Sequence, residues 1–389
     1  MRIAIIVIDS GGIGQAPDSA DFGDSGANTI GHTAQAVGGI SLPHLSTMGL
    51  TQLVPILGTN DQALKGVAYP VHPKARGKDT LAGHWEMMGV TLREPFQTFP
   101  QGFPEEVVAA LEHQFGRSLM GNLALSGTEM LDRFGPEHLA TGSPIVYTSA
   151  DSVLQIAAHE HVVPLATLYD WCRAAREIMQ GSYRVGRIIA RPFVGVPGGF
   201  VRTANRHDFA VEPPWPTMVD NLMQAGIKTV AVGKISDIFS GRGFAQTIAT
   251  TSNRDGLEKT LAVLQASTVE PEFIFVNLVE FDSHFGHRRD PQGYARALKE
   301  LDEFLPQLWM ALGASDQLWI TADHGCDPTY SGTDHTRETL PWMAWGPQLT
   351  GFAGAPRQGL QDIAATLSAL FQVPAVGHGI PAQALLKLS

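Results

Sequence analysis

The sequence contains very little cysteine. Cys172 and Cys326 are the two cysteines in 389 residues, and they lie far apart. This spacing excludes a disulfide framework and a zinc site of paired thiolates, and it favours a reducing compartment, the cytoplasm. Basic residues are also in the minority, with 27 lysines and arginines against 38 aspartates and glutamates, a formal net charge of −11. Nucleic acids and anionic membranes attract lysine and arginine, so neither is expected as a general partner.

Long apolar runs are missing as well. The first run, Ile3 to Ile8, is too short for the core of a signal peptide and leads directly into acidic, glycine-rich sequence. No later run is long enough to span a bilayer. We therefore expect a soluble protein that is not exported. At 389 residues it exceeds the size that one hydrophobic core usually serves, so two domains are expected.

Short β-branched segments that end in polar residues recur along the chain. They are Ile3–Ile8 before Asp9, Thr229–Val232 before Lys234, Phe273–Val276 before Asn277, and Leu318–Ile320 before Asp323. Between them lie segments with helical periodicity, such as Tyr294 to Leu312 and Leu360 to Phe371. The alternation predicts an α/β fold, in which ligands gather at the carboxyl ends of the strands.

The middle of the sequence differs from the rest in composition and in its pattern of predicted elements. From about Arg93 to Pro214 aromatic, proline and glycine residues are frequent, and the alternation of strand and helix is hard to follow. We interpret this part as an inserted α+β domain. The predicted division is therefore 1–93 with 215–389 as the core domain, and 94–214 as the second domain.

Carboxylates and histidines collect at the predicted strand ends. The six candidates are Asp9, Asp282, His287, Asp323, His324 and His335. Each alone has an ordinary explanation, such as a helix cap or an ion pair, but together they indicate metal binding. Three carboxylates and three histidines suit manganese, iron or zinc and are too many for a single ordinary site. A pair of metals commonly serves displacement at phosphorus, so these residues predict a two-metal phosphoryl-transfer enzyme.

Thr80 is the candidate nucleophile. It follows Gly77-Lys78-Asp79 and precedes a helix-like segment, which would place its hydroxyl at the positive end of a helix. Metal coordination can deprotonate such a hydroxyl, although a plain capping role for Thr80 is the alternative. The segment is not a P-loop, because His72 replaces the first glycine and Asp79 follows the lysine.

Six parts of the sequence together resemble the bacterial phosphopentomutase family. They are Asp9–Gly14, Gly77–Thr80 with Gly83–Trp85, Tyr147–Ser152, Gly186–Phe193, Phe281–Asp282 with Gly286–Asp290, and Thr321–Gly325. They follow the family's order over nearly the whole chain. The Asp-His-Gly segment belongs to the wider alkaline phosphatase superfamily, whereas the segments around Thr80 and Asp151 narrow the resemblance to this family.

This resemblance implies an alkaline-phosphatase-like core sheet flanked by helices, with a mobile cap inserted after the Thr80 segment. It implies that Thr80 is phosphorylated in the active enzyme and that each chain binds two Mn²⁺ ions. One ion would be held by Asp9, Asp323, His324 and the Thr80 oxygen, and the other by Asp282, His287 and His335. The implied reaction interconverts α-D-ribose 1-phosphate and D-ribose 5-phosphate, or the 2-deoxyribose equivalents, through a 1,5-bisphosphate. Such a mutase must exclude water, which is a physical reason for a closing cap.

The sugar and its second phosphate require further polar contacts. The predicted substrate-binding residues are Ser149, Asp151, Arg187, Arg202 and Lys234. The first two would bind sugar hydroxyls or the anomeric region, and the three cations would bind phosphate. Arg184, Arg191 and Arg206 are alternatives to Arg187.

The expected partners are small molecules, namely pentose phosphates and an activating sugar bisphosphate, and the expected state is a monomer. Three other functions remain open. A metal-dependent phosphatase or sulfatase would use the same scaffold with a site open to water, and a metal-dependent phosphoglycerate mutase is related. A catalytically silent metal-binding or interaction protein is the third alternative.

Overall fold

The computed structural model describes residues 1–149, 152–266, 268 and 270–386. The chain forms two compact units, Met1–Pro95 with Pro213–Ser389, here the core unit, and Phe96–Glu212, here the second unit. Among the described residues, no helix is both long and apolar enough to cross a bilayer.

The strands and helices follow one another in mixed order. The strands are β1 (Arg2–Ile8), β2 (Val67–Val71), β3 (Met120–Ala124), β4 (Ile145–Thr148), β5 (Val153–His159), β6 (Arg187–Val194), β7 (Val201–Arg202), β8 (His207–Ala210), β9 (Lys228–Val232), β10 (Gln246–Ile248), β11 (Glu272–Leu278), β12 (Gln317–Ala322), β13 (Leu340–Trp345) and β14 (Phe352–Ala353). The helices are α1 (Thr29–Ala36), α2 (Pro43–Met48), α3 (Leu50–Leu53), α4 (Thr80–Met87), α5 (Glu105–Phe115), α6 (Gly127–Thr141), α7 (Leu165–Ile178), α8 (Met218–Gln224), α9 (Ile235–Ile238), α10 (Asn253–Gln265), α11 (Pro291–Met310), α12 (Gln361–Phe371) and α13 (Gln383–Leu386).

The core unit contains an eight-stranded sheet in the order β10-β9-β11-β1-β12-β13-β2-β14. The strands from β10 to β12 are parallel, and β13 is antiparallel to both of its neighbours. Ala4, Ile6 and Ile8 of β1 pack in one core with α1, α10 and α11, and the intervening residues are buried on the opposite face. Burial on both faces explains the continuous apolar runs of the central strands. The predicted α/β fold is confirmed.

The predicted helix that follows the metal-ligand segment begins earlier than its periodicity indicated. Helix α11 starts at Pro291, three residues before Tyr294, because Asp290 caps it by accepting a hydrogen bond from the Gly293 amide at 2.8 Å. Proline suits the first helical position, where its missing amide proton has no partner to lose. The other predicted helix, Leu360 to Phe371, matches α12 within one residue.

The second unit contains a six-stranded mixed sheet in the order β3-β4-β5-β6-β7, with β8 also paired to β6. Helices α5 and α7 pack on one face through residues that include Leu111, Leu168 and Trp171. Helix α6 packs on the opposite face through Met130 and Leu131. Its N-terminus carries a capping box, Ser126 with Glu129. The unit is α+β, as expected.

Candidate metal centre

The six predicted metal ligands lie beyond the carboxyl ends of the three central strands. Strands β11, β1 and β12 end in register, because Ile8 pairs with both Leu278 and Ala322. Asp9 follows β1, and Asp323 with His324 follow β12. Asp282 lies in a π-helical turn after β11, His287 lies directly after that turn, and His335 lies in the loop between β12 and β13. Parallel strands that end together therefore bring ligands from distant parts of the chain to one edge.

The six side chains form two adjoining groups, here the first group (Asp9, Asp323 and His324) and the second group (Asp282, His287 and His335). The donor atoms of the first group lie within 4.8 Å of one another, and His324 also lies within 4.8 Å of Asp282 and His335. Within the first group, His324 Nε2 lies 3.5 Å from Asp9 Oδ1 and 3.4 Å from Asp323 Oδ2. The position of His324 between the two groups is a geometric feature that spacing in the sequence did not indicate.

The second group is built around two facing histidines. The Nε2 atoms of His287 and His335 lie 3.0 Å apart. Asp282 Oδ2 lies 3.3 Å from His287 Nε2, and Asp282 Oδ1 lies 3.3 Å from His335 Nε2. One carboxylate and two imidazoles thus converge on a single point.

Backbone carbonyls set the proton positions of all three histidines. The Nδ1–H groups of His287, His324 and His335 donate to the carbonyls of Thr333, Gly325 and Lys78 at 2.7, 3.1 and 2.9 Å. A carbonyl can only accept, so a neutral ring in this position keeps a lone pair on Nε2. Metal-binding histidines usually have this arrangement, in which one ring nitrogen faces the metal and the N–H of the other donates to an outer partner.

Three buried carboxylate oxygens in the two groups have no hydrogen-bond partner among the described residues. They are Asp9 Oδ1, Asp282 Oδ1 and Asp323 Oδ2. Burying such an oxygen without a donor is costly unless a cation compensates it. The donor set therefore fits divalent metal ions.

The pKa values reflect this crowding of negative charge. Burial raises the pKa of Asp9, and the neighbouring charge of Asp323 raises it further. Burial acts in the same direction on Asp323, but His324 and His84 outweigh it and bring the pKa of Asp323 to about 2. For His324, burial is outweighed by Asp323, Asp9 and Asp282, which raise its pKa well above the usual value. The raised pKa of His324 thus reflects the negative charge that a bound cation would balance.

Thr80 is the first residue of α4, and its hydroxyl faces the first group. Its Oγ1 lies 3.3 Å from His324 Nε2. The helix is capped instead by Asp79, whose side chain accepts a hydrogen bond from the Ala82 amide at 3.1 Å. The alternative that Thr80 caps this helix is therefore wrong, because Asp79 is the N-cap residue.

Two buried polar residues next to the candidate ligands were not predicted as site residues. Asn277 donates from Nδ2 to Asp9 Oδ2 at 3.0 Å, and His84 Nδ1 donates to the Thr80 carbonyl at 2.9 Å. Asn277 lies inside the buried strand β11. A polar residue in such an apolar run is the sequence feature that could have identified it as a site residue. His84 lies in the Gly83–Trp85 segment of the family resemblance, but its local sequence does not indicate its role, which depends on where α4 packs.

Both cysteines are free and buried, in agreement with the prediction that neither forms a disulfide. Cys326 nevertheless lies close to the second group, with its Sγ within 4.8 Å of donor atoms of Asp282 and His287. Burial raises the pKa of its thiol, so the protonated form is favoured.

The predicted substrate-binding residues are distributed over both units. Ser149 is half-buried after β4, Arg187 begins β6 with its guanidinium 3.7 Å from Asp208 Oδ2, and Arg202 is exposed in β7. Lys234 belongs to the core unit, where it is exposed and precedes α9. Asp151 lies outside the described residues.

The three alternatives to Arg187 have partners inside the second unit. Arg191 donates to Gln155 Oε1 at 2.9 Å, and Arg184 lies over the Phe96 ring at 5.2 Å. Arg206 makes two hydrogen bonds with the Asp208 carboxylate, at 2.7 and 2.6 Å. Each of these arginines thus has a contact inside the second unit, and the contacts do not show which arginine would bind phosphate.

Comparison with known proteins identifies relatives over nearly the full length. Residues 1–375 match the Metalloenzyme superfamily. The chain is 48% identical over 381 residues to a phosphopentomutase of Caldanaerobacter subterraneus subsp. tengcongensis, covering 97% of this chain and 96% of that protein. It is 50% identical over 382 residues to a phosphopentomutase of Symbiobacterium thermophilum, with 97% and 96% covered. Among solved structures, a phosphoglycerate mutase of Leishmania mexicana aligns with 98% of this chain and 97% of its own, at 14% identity and a TM-score of 0.44.

Proposed function

The chain belongs to the phosphopentomutase family of the Metalloenzyme superfamily, and from this premise we propose its reaction and the roles of its residues. The family resemblance read from the sequence is confirmed. The protein is a metal-dependent enzyme, an isomerase that moves a phosphate group within a pentose phosphate. We infer that it interconverts α-D-ribose 1-phosphate and D-ribose 5-phosphate, with the 2-deoxyribose equivalents as further substrates.

One observation supports the proposal, namely that histidine Nε2 atoms converge beside the Thr80 hydroxyl with carboxylate oxygens that have no hydrogen-bond partner among the described residues. We propose two Mn²⁺ positions per chain. The ligands of the first are Asp9, Asp323, His324 and the Thr80 oxygen, and those of the second are Asp282, His287 and His335. Bound there, the two ions would polarise phosphoryl oxygens and lower the pKa of the Thr80 hydroxyl.

Thr80 carries the phosphate between the two positions of the pentose. In the first transfer, the free hydroxyl of the incoming monophosphate attacks the phosphorus of phosphothreonine 80 and loses its proton. The bond between phosphorus and Thr80 Oγ1 breaks, which leaves a 1,5-bisphosphate. In the second transfer, Thr80 Oγ1 attacks the other phosphate, and the released sugar oxygen takes up a proton. Because Thr80 begins α4, the phosphate would also lie at the positive end of that helix.

The remaining roles concern the sugar and water. Ser149 and Asp151 would bind sugar hydroxyls, and Arg187, Arg202 and Lys234 would bind the phosphate that is not being transferred. We propose that residues 94–214 act as the cap that keeps water from phosphothreonine, since hydrolysis would turn the mutase into a phosphatase. A sugar bisphosphate would supply the first phosphate to an unphosphorylated chain. We propose a monomer in the cytoplasm.

The test is a paired assay on the purified protein with Mn²⁺. α-D-Ribose 1-phosphate is supplied, and ribose 5-phosphate and inorganic phosphate are measured in the same samples. We expect ribose 5-phosphate to form much faster than inorganic phosphate, and chelation to abolish both. Inorganic phosphate as the main product would instead support a phosphatase, and turnover of a phosphoglycerate in place of the pentose would support the related mutase. Peptide mapping by mass spectrometry would locate the phosphate on Thr80.

A further inference from the structure

We propose that His84 and Asn277 form a positioning pair that fixes the nucleophile relative to the first metal position. The inference rests on the proposed function and adds two residues to it. Both side chains are buried, and neither belongs to the proposed ligand set. His84 lies one helical turn after Thr80 in α4, and Asn277 lies in β11 beside β1.

His84 holds the residue that carries the nucleophile. Its Nδ1–H donates to the Thr80 carbonyl at 2.9 Å, and the same nitrogen lies 3.2 Å from Asp323 Oδ2. One ring nitrogen therefore contacts both the Thr80 backbone and a ligand of the first group. Displacing the ring would change the position of Thr80 relative to Asp323.

Asn277 holds the opposite side of the same group. Its Nδ2 donates to Asp9 Oδ2 at 3.0 Å and lies 3.4 Å from His84 Nε2. A carboxylate only accepts, so the contact with Asp9 identifies the amide nitrogen. His84 Nε2 must then accept, which leaves the ring proton on Nδ1, where the Thr80 carbonyl requires it. The two contacts thus agree on one tautomer and form a continuous path from Asp9 to Thr80.

The packing around the pair leaves little room for adjustment. A Cβ on Gly83 would lie 2.2 Å from the Asp323 carbonyl oxygen, so α4 lies directly against the end of β12. The His84 ring also contacts the Phe275 ring, with their centroids 5.6 Å apart. The path is therefore set by both hydrogen bonds and packing.

The second group is held by different partners. His287 and His335 are oriented by the carbonyls of Thr333 and Lys78, and neither contact involves His84 or Asn277. The pair should accordingly affect one metal position and spare the other. A residue that only stabilised the fold would not produce this selectivity.

The experiment uses the full chain with His84→Ala, His84→Asn and Asn277→Ala. Mn²⁺ binding is followed by electron paramagnetic resonance titration, together with phosphothreonine content, kcat and KM. The matched control is His138→Asn, which removes a buried histidine of the second unit with both ring nitrogens hydrogen-bonded.

For His84→Ala and Asn277→Ala we expect the affinity of one Mn²⁺ position to fall about 10–100-fold, as for the loss of other outer partners, with the second position unchanged. We expect kcat to fall by a similar factor, and KM for ribose 5-phosphate to change by less than about threefold. His84→Asn should recover part of both losses, because its amide can still donate towards Thr80. His138→Asn should alter neither metal affinity.

Equal loss at both metal positions, or wild-type affinity at both in His84→Ala, would overturn the inference. The metal titration decides this even if the wild-type chain proves to have no mutase activity. In that case the proposed function would fail separately from the positioning pair.

Discussion

His287 and His335 face each other through their Nε2 atoms, which carry lone pairs when the rings are neutral. Their Nε2 atoms lie 3.0 Å apart, while both Nδ1–H groups donate to backbone carbonyls. Two lone pairs at this distance repel each other unless a proton or a metal ion lies between them. Because the Asp282 carboxylate lies 3.3 Å from both nitrogens, a divalent cation suits the position better than a proton does.

The first prediction concerns a variant that lacks one of these two nitrogen atoms. His335→Ala should lose the metal at the second position, and activity should fall more than about 100-fold, the upper range for losing an outer partner. The fold should survive, because a metal-binding loop rather than a core strand is changed. Metal content per chain and circular dichroism measure the two effects. His284→Ala is the matched control, since His284 is an exposed histidine of the π-helical turn that carries Asp282 and lies outside both donor groups. Unchanged metal stoichiometry in His335→Ala would show that the ligand assignment is wrong.

The second prediction concerns covalent transfer. Thr80→Ala should lose mutase activity by several orders of magnitude, because alanine lacks the hydroxyl beside His324 that would carry the phosphate. Both metals should largely remain, since Asp9, Asp323 and His324 are untouched. Turnover, metal content and intact mass are measured on the same preparation. Near-normal turnover in this variant would refute the phosphothreonine mechanism, whatever the metal content.

The sequence located candidate ligands at strand ends correctly where the strand is buried on both faces. Such strands are continuous apolar runs, so Asp9 after β1 and Asp323 after β12 could be recognised from local sequence alone. His84 could not, because its contact with Thr80 matters only once α4 packs against the end of β12. The same limit applies to the arginines of β6. Arg187 and Arg191 lie on one face of the strand, and residue type alone cannot tell which of them meets a phosphate.

The third prediction uses metal removal as a probe of stability. An ion that binds only the folded chain stabilises it, by about 2.7 kcal/mol at a free concentration 100 times Kd. The charges of Asp323 and Asp282 both act on Asp9, so a cation that balances them should stabilise the fold, and adding Mn²⁺ to chelated protein should raise Tm. The shift should be smaller in Asp282→Ala, which keeps only the first position. If Tm were the same with chelator and with excess Mn²⁺, metal binding would not stabilise the folded chain, and the prediction would be wrong.

The fourth prediction tests how closely α4 lies against β12. In Gly83→Ala, the added methyl group would meet the Asp323 carbonyl oxygen at 2.2 Å, a backbone atom that cannot move aside alone. We expect a loss of about 1–3 kcal/mol in the free energy of unfolding, as for other overpacked sites, together with weaker metal binding.

Gly256→Ala is the matched control, because Gly256 also lies within a helix, and its nearest neighbour would be Leu278 at an ordinary 3.4 Å. There, alanine should be neutral or stabilising by up to about 1 kcal/mol through its higher helix propensity. Denaturant unfolding and Mn²⁺ titration measure both variants. If Gly83→Ala matched Gly256→Ala in stability and metal affinity, the close approach of α4 would have no role in holding Thr80 and Asp323 together.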